Sequence, residues 1–228
     1  MKRRTYLANG ETYHIYNRGA HKERIFLEES DCSRFLALLF LSNTRERINL
    51  RDLMPKYKGP AFVKLFGNEK PDRSLVQVLA YSLVKNHFHL VLRQIAEDGI
   101  TTYMQKVGTA YSMYFNQKYE HSGVLFQGRF GSSHLDTDPY FKWIFPYVHL
   151  NPISLVEPSW QEKRISNLAK SREFLRTYKY SSYSDYYVGE RPERAILAYD
   201  EAVDLLDREA DLHDMLAAYA RGRILYAT

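Results

Sequence analysis

Two histidines separated by one residue, His87 and His89, are the residues whose type and spacing most directly suggest chemistry. They lie in the run AYSLVKNHFHLVLRQ, whose apolar pattern is typical of a β-strand. Because successive side chains of a strand point to opposite faces, both imidazoles face the same side, where they can share one metal ion. Histidines in half-buried strands also commonly do no more than hydrogen-bond to neighbours, so the pair needs a partner.

The run FPYVHLNPI offers that partner. Tyr147 and Asn151 are four residues apart, so they share one face if the segment is helical. One helix face can therefore present a nucleophile and a metal ligand together.

Three segments occur in the order NHFHLVL, YFNQKYEHSGVLFQGRF and YVHLNP. Together they resemble the single-tyrosine HUH transposases, and among these the REP-associated tyrosine transposases of bacteria, over Tyr13–Asn151. The resemblance implies that His87, His89 and Asn151 are metal ligands and that Tyr147 is the nucleophile. It leaves His149 as a bystander on another helix face.

The same resemblance implies an enzyme that nicks and joins single-stranded or hairpin DNA. Attack on the phosphodiester would give a 5′-phosphotyrosine and a free 3′-hydroxyl, which can later rejoin strands without a nucleotide cofactor. Two imidazoles alone suit zinc, whereas the resemblance implies Mg²⁺ or Mn²⁺, and a shell completed by an amide oxygen, phosphate oxygens and waters agrees with the latter. His121 and His134 are possible accessory residues, and Tyr140 is the next candidate nucleophile.

Two residues depart from the family pattern. Lys85 stands where the family often has proline, and Pro146 immediately precedes the proposed nucleophile. Proline removes a helix hydrogen bond, so we expect the helix to bend or restart there and to shift Tyr147. An alternative function is therefore a catalytically weakened or domesticated module that only binds single-stranded nucleic acid. A structural zinc protein is a third possibility, supported by the histidine pair alone.

The order of predicted elements is strand, helix, strand, strand, helix, strand. This order predicts an α+β protein with a ferredoxin-like (split βαβ) antiparallel sheet and helices on one face. A hairpin turn is expected at Lys85-Asn86. The predicted elements are strands at Thr12–Asn17, Leu75–Val84, Asn86–Arg93 and after Gly123, with helices at Asp31–Ser42, Ile100–Tyr119 and after Asp138.

The length of 228 residues suits one core with additions. We assign residues 1–157 to the catalytic domain, with a basic insertion at about 43–74. Residues 158–228 form a C-terminal extension that is partly helical, polar and broken at first and helical from Ala195 onward.

Basic residues outnumber acidic ones by 32 to 27, which gives a net charge of +5 and a mild preference for polyanions. The 19 tyrosines are interleaved with basic residues, as in proteins that stack on single-stranded nucleic acid. For the basic residues of the insertion, the alternative to DNA contact is that they are ordinary solvated charges of a loop. The predicted DNA-contacting residues are Arg45, Arg47 and Arg51 in the insertion, with Lys85, Lys106 and Arg129 elsewhere.

Cys32 is the only cysteine, so no internal disulfide can form, and its apolar surroundings predict a small buried residue. No apolar run reaches the length of a membrane span. We therefore expect a soluble, cytoplasmic bacterial protein, associated with the nucleoid when bound to DNA, and either a monomer or a homodimer.

Overall fold

The computed structural model describes residues 6–46, 74–136, 138–204 and 216–217. Strands and helices alternate in the order predicted from the sequence. The elements up to the fourth strand are β1 (Thr12–Arg18), α1 (Glu29–Leu41), β2 (Val76–Val84), β3 (His87–Gln94), α2 (Gly99–Tyr119) and β4 (Gly131–His134).

The four strands form one antiparallel sheet in the order β2-β3-β1-β4. This is the strand order of the split βαβ arrangement, so the predicted α+β, ferredoxin-like fold is confirmed. The β2–β3 turn consists of Lys85 and Asn86, as expected. The two central strands, β1 and β3, place Tyr16 opposite His89 and Arg18 opposite His87.

The two crossover helices, α1 and α2, cover one face of this sheet. Alternate residues of β3 point toward them, and the Phe88 ring lies 4.9 Å from that of Phe35 in α1. The α2 residues that recur every three or four positions, such as Tyr103, Val107 and Tyr111, are buried in the core, and Cys32 of α1 is buried as predicted. Lys118 of α2 reaches Asp31 of α1 at 2.8 Å, and this ion pair links the two helices.

The opposite face of the sheet carries α3 (Asp138–Leu150), which continues into a 3-10 turn at Asn151–Leu155. The sheet is therefore covered on both sides, which extends the predicted arrangement beyond the split βαβ unit. The helix runs through Pro146 as one element. The expected restart at this proline does not occur.

The C-terminal extension packs along the outer strand β2. Leu83 donates its backbone N–H to the carbonyl of Tyr180 at 2.9 Å, and Tyr186 donates its hydroxyl to the carbonyl of Leu79 at 2.6 Å. Its first two helices lie in the part that sequence patterning described as polar and broken, because short helices with few apolar positions give little periodic signal. The elements here are α4 (Leu168–Thr177), α5 (Tyr183–Tyr187), a 3-10 turn (Pro192–Ile196) and α6 (Tyr199–Val203).

The helical tail predicted from Ala195 onward is seen only in part. Within the described ranges it comprises α6 and two helical residues at 216–217, and the rest of it lies outside them. In this described part of the chain, no helix is both long enough and apolar enough to cross a membrane.

A buried ion pair anchors the extension. Asp185 is fully buried and lies 2.8 Å from Arg191, which also donates to the Tyr81 hydroxyl of β2 at 2.8 Å. Replacing Asp185 with alanine leaves a largely buried guanidinium unpaired, so we expect a loss of about 3–5 kcal/mol in the free energy of unfolding, measured with urea. The control is Glu190→Ala, which breaks an exposed pair with Arg194 and should cost no more than about 1 kcal/mol. Equal losses of unfolding free energy in the two variants would show that the Asp185–Arg191 pair does not anchor the extension.

Candidate active site

A pocket of about 270 Å³ opens on the sheet face that carries α3. Strands β1 and β3 form its floor, while α3 and the start of the C-terminal extension form its walls. Its lining residues are Tyr16, Asn17, Arg18, His87, His89, Tyr147, Asn151, Ser154, Pro158, Trp160 and Gln161.

His87 and His89 face this pocket together, as the period-2 rule predicts. Their rings are nearly perpendicular, with centroids 5.0 Å apart. His87 Nδ1 lies 2.7 Å from Asn86 Oδ1, and its Nε2 lies 3.4 Å from Asn151 Oδ1. Burial lowers the pKa of His87 to about 4, and the Arg18 charge acts in the same direction. Burial also lowers the pKa of His89 well below its ordinary value. Both imidazoles are therefore neutral at pH 7, the form that binds metals.

Tyr147 enters the pocket from α3, and its ring stands edge-on to His89 with centroids 5.8 Å apart. Its other face stacks on Trp143 at 4.8 Å. The Tyr147 hydroxyl oxygen accepts a hydrogen bond from Gln161 Nε2 at 3.2 Å. Asn151, one turn further along, donates its amide N–H to the Tyr147 carbonyl at 3.5 Å. The four sequence-predicted residues therefore meet in one pocket.

Two imidazole nitrogens and one amide oxygen form a mixed donor set. Such a set fits a divalent cation that takes waters and phosphate oxygens for its remaining positions. The 3.4 Å approach of Asn151 Oδ1 to His87 Nε2 shows that both atoms point toward a common space. Over the described ranges, no group of three or more His, Cys, Asp or Glu side chains is arranged to hold a metal ion.

Residues 47–151 match the model of a protein family described as transposase, IS200 like. Residues 47–151 are therefore similar to IS200-like transposases. The match covers just under half of the 228 residues and includes His87, His89, Tyr147 and Asn151. It confirms the recognition made from the sequence motifs.

Other comparisons add little to this match. No curated protein matches the chain significantly. A solved structure described as the REP associated tyrosine transposase bound to a REP hairpin matches 92% of this chain and 96% of its own, with 13% sequence identity and a TM-score of 0.48.

Three further histidines of the transposase-like region lie away from the pocket. His149 is fully buried against Phe145, on another face of α3, as the bystander assignment implied. His121 hydrogen-bonds to the end of α2, and His134 bonds to Glu11 at 2.9 Å. The structure therefore does not bring the two possible accessory residues to the site.

Two of the predicted DNA-contacting residues lie close in sequence or by contact to residues that line the pocket. Lys85 is exposed in the turn that leads into His87, and Arg129 is exposed next to Gly128, whose carbonyl accepts from Asn17 at 3.1 Å. Both positions adjoin the pocket, and DNA contact by these residues stays a prediction.

The basic insertion is described only at its start. Arg45 is exposed there, whereas Arg47 and Arg51 lie outside the described residues. The Lys106 ammonium group donates hydrogen bonds to the carbonyls of Thr44 and Glu46 at 2.5 and 2.6 Å. Lys106 therefore holds the backbone that leads into the insertion.

Sequence reasoning missed the contribution of β1 to the transposase-like site. Tyr16 and Arg18 line the pocket, and His14 lies behind it. The sequence does contain a signal for this, because His14, Tyr16 and Arg18 occupy alternate positions of TYHIYNR and so share one face of β1, as His87 and His89 share one face of β3. The Tyr16 ring lies so close over β4 that a Cβ at Gly131 would be 2.4 Å from it, which explains the glycine.

The C-terminal extension also contributes residues that the sequence did not indicate. Pro158, Trp160 and Gln161 line the pocket although they lie beyond the family match. The site is thus built by the transposase-like region and its flanking segments together.

Proposed function

We propose that this protein nicks and rejoins single-stranded DNA, at hairpins or palindromes, through a 5′-phosphotyrosine on Tyr147. The observation that carries the proposal is the convergence of the Tyr147 hydroxyl with His87, His89 and Asn151 in one pocket. These residue types supply a nucleophile and neutral ligands for a divalent cation, which is the set that phosphodiester transfer requires. The hairpin substrate follows from the motif resemblance.

In the first step the Tyr147 oxygen attacks the scissile phosphorus. The Oη–P bond forms, the P–O3′ bond breaks, the phenolic proton is lost and the 3′-oxygen gains a proton. Stacking on Trp143 and the hydrogen bond from Gln161 hold the Tyr147 ring and its oxygen in place. Such fixed orientation lowers the entropic part of the barrier. The 3′-hydroxyl can reverse the reaction, so one site serves both nicking and joining.

His87, His89 and Asn151 would hold the divalent cation, either Mg²⁺ or Mn²⁺. When bound, this cation supplies positive charge that offsets the negative charge of the phosphodiester. The chain itself keeps both imidazoles neutral by burial and holds His87 through Asn86.

Among the described residues that line the pocket, Arg18 is the one that carries a charge at pH 7. It stands opposite His87 in the β1–β3 ladder and is exposed to solvent. A guanidinium at this position suits a phosphate oxygen of the bound strand.

Arg18→Gln is therefore expected to weaken hairpin binding. The slope of log binding constant against log salt concentration should become shallower by about 0.7, the value for one phosphate contact on a single strand. Titration of labelled hairpin DNA at several salt concentrations measures both. Arg18→Lys should keep the slope. The matched control is Arg93→Gln, at the far end of β3, where Arg93 donates to Thr12. Identical slopes for the two glutamine variants would show that Arg18 does not touch the DNA.

The proposed reaction is tested by incubating the protein with labelled hairpin DNA and Mn²⁺ and looking for a covalent adduct on a denaturing gel. The alternative is a module that binds single-stranded nucleic acid without cutting it. The exposed ring of Tyr16 beside Arg18 favours binding in either case, because bases stack on aromatic rings. Tight binding without an adduct would support that alternative.

A further inference from the structure

His14 lies behind the pocket and contacts one of the proposed metal ligands. It is buried in β1, with 6% of its surface exposed. Its Nε2 lies 2.8 Å from Nδ1 of His89, and the two rings are nearly parallel, with centroids 5.0 Å apart. His89 lines the pocket, whereas His14 does not. Since His89 uses Nδ1 for this contact, the nitrogen left for the pocket is Nε2.

Both rings are buried, and burial lowers the pKa of His14 to about 4 and that of His89 well below its ordinary value, so both are neutral at pH 7. A hydrogen bond between two neutral imidazoles contains one hydrogen, and two arrangements are possible. If His89 donates from Nδ1, its Nε2 has a lone pair that faces the pocket. If His14 donates instead, His89 must have its hydrogen on Nε2 and cannot bind a metal there.

We propose that His14 is a positioning residue that accepts a hydrogen bond from Nδ1–H of His89 and so directs the Nε2 lone pair of His89 into the pocket. This inference rests on the proposed function for its consequence, metal binding. The tautomer of His89 is a property of the chain itself and can be measured without metal. A partner on the second ring nitrogen is the usual means by which proteins fix a metal-binding histidine.

The first test is nuclear magnetic resonance of the metal-free protein with ¹⁵N-labelled histidine. In the wild type, His89 should have its hydrogen on Nδ1. His14→Phe removes the acceptor, so this preference should be lost, and His14→Gln should restore it because the amide oxygen can accept. A residue that served only in packing would not change the tautomer.

The second test is calorimetry with Mn²⁺. His14→Phe should lower the affinity about 10- to 100-fold, the range observed when a ligand loses its supporting partner. His14→Gln should keep most of the affinity. The matched control is His134→Phe, another histidine of the sheet, which stacks on Tyr13 and does not contact His89. The His134→Phe variant should bind Mn²⁺ with the affinity of the wild type.

Thermal unfolding checks that each variant is folded. If His14→Phe does not fold, the wild-type tautomer and the His14→Gln variant decide the question. Hydrogen on Nε2 of His89 in the wild type would overturn the proposal, as would an unchanged tautomer in His14→Phe. A wild-type protein that binds no Mn²⁺ but has His89 protonated on Nδ1 would overturn the proposed metal chemistry and support the role of His14.

Discussion

Tyr147→Phe is expected to abolish the covalent protein–DNA adduct while hairpin binding remains close to that of the wild type. The change removes only the hydroxyl, and with it the bond from Gln161, while the ring can still stack on Trp143. Loss of the nucleophile of a covalent mechanism removes the intermediate altogether. A denaturing gel with labelled hairpin DNA and Mn²⁺ reads the adduct, and a filter-binding assay reads the affinity.

Tyr140→Phe is the matched control, because Tyr140 lies on the same helix, two turns before Tyr147. This variant should form the adduct at the wild-type level. An adduct that persists in Tyr147→Phe and disappears in Tyr140→Phe would move the nucleophile to Tyr140 and refute the assignment.

His87→Ala and His89→Ala should each lose most metal-dependent cleavage, with a decrease on the order of 100-fold or more. A site with so few protein ligands cannot spare one, and removing a ligand costs at least as much as removing its supporting partner. Calorimetry with Mn²⁺ measures the loss directly, apart from cleavage. His121→Ala is the control, since His121 bonds to the end of α2 and does not line the pocket. If His87→Ala and His89→Ala both bind Mn²⁺ as tightly as the wild type, the two histidines are not metal ligands and serve only as hydrogen-bonding residues.

Much of the fold and part of the site could be predicted because the sequence signals for them are local. The alternation around His87 and His89 places both imidazoles on one face, and the four-residue spacing of Tyr147 and Asn151 does the same on α3. The order of elements then specifies which topology fits. Each element and each pair of site residues is recognised within a single segment of about ten residues, and only the order of elements uses the whole chain.

The rest of the site depends on which segments become neighbours in the fold. His14 and Arg18 reach the site only because β1 lies beside β3 in the sheet, and the pattern of β1 alone does not reveal that pairing. Gln161 comes from a segment with little periodicity, and its contact with Tyr147 is made across the pocket wall. The helix also does not restart at Pro146 as one of the two expected outcomes would have it, because the helix continues despite one missing backbone donor.

The contact between the extension and β2 has a practical consequence for shortened versions of the protein. Tyr180 and Ser181 pair with the outer edge of β2, so that this edge is occupied by the chain itself. A fragment that ends at Asn151 would leave a row of unpaired peptide groups along an apolar strand, which is a template for pairing with other molecules. Such fragments should aggregate through this edge, and a soluble minimal unit will need the residues that cover β2 as well as the proposed catalytic residues.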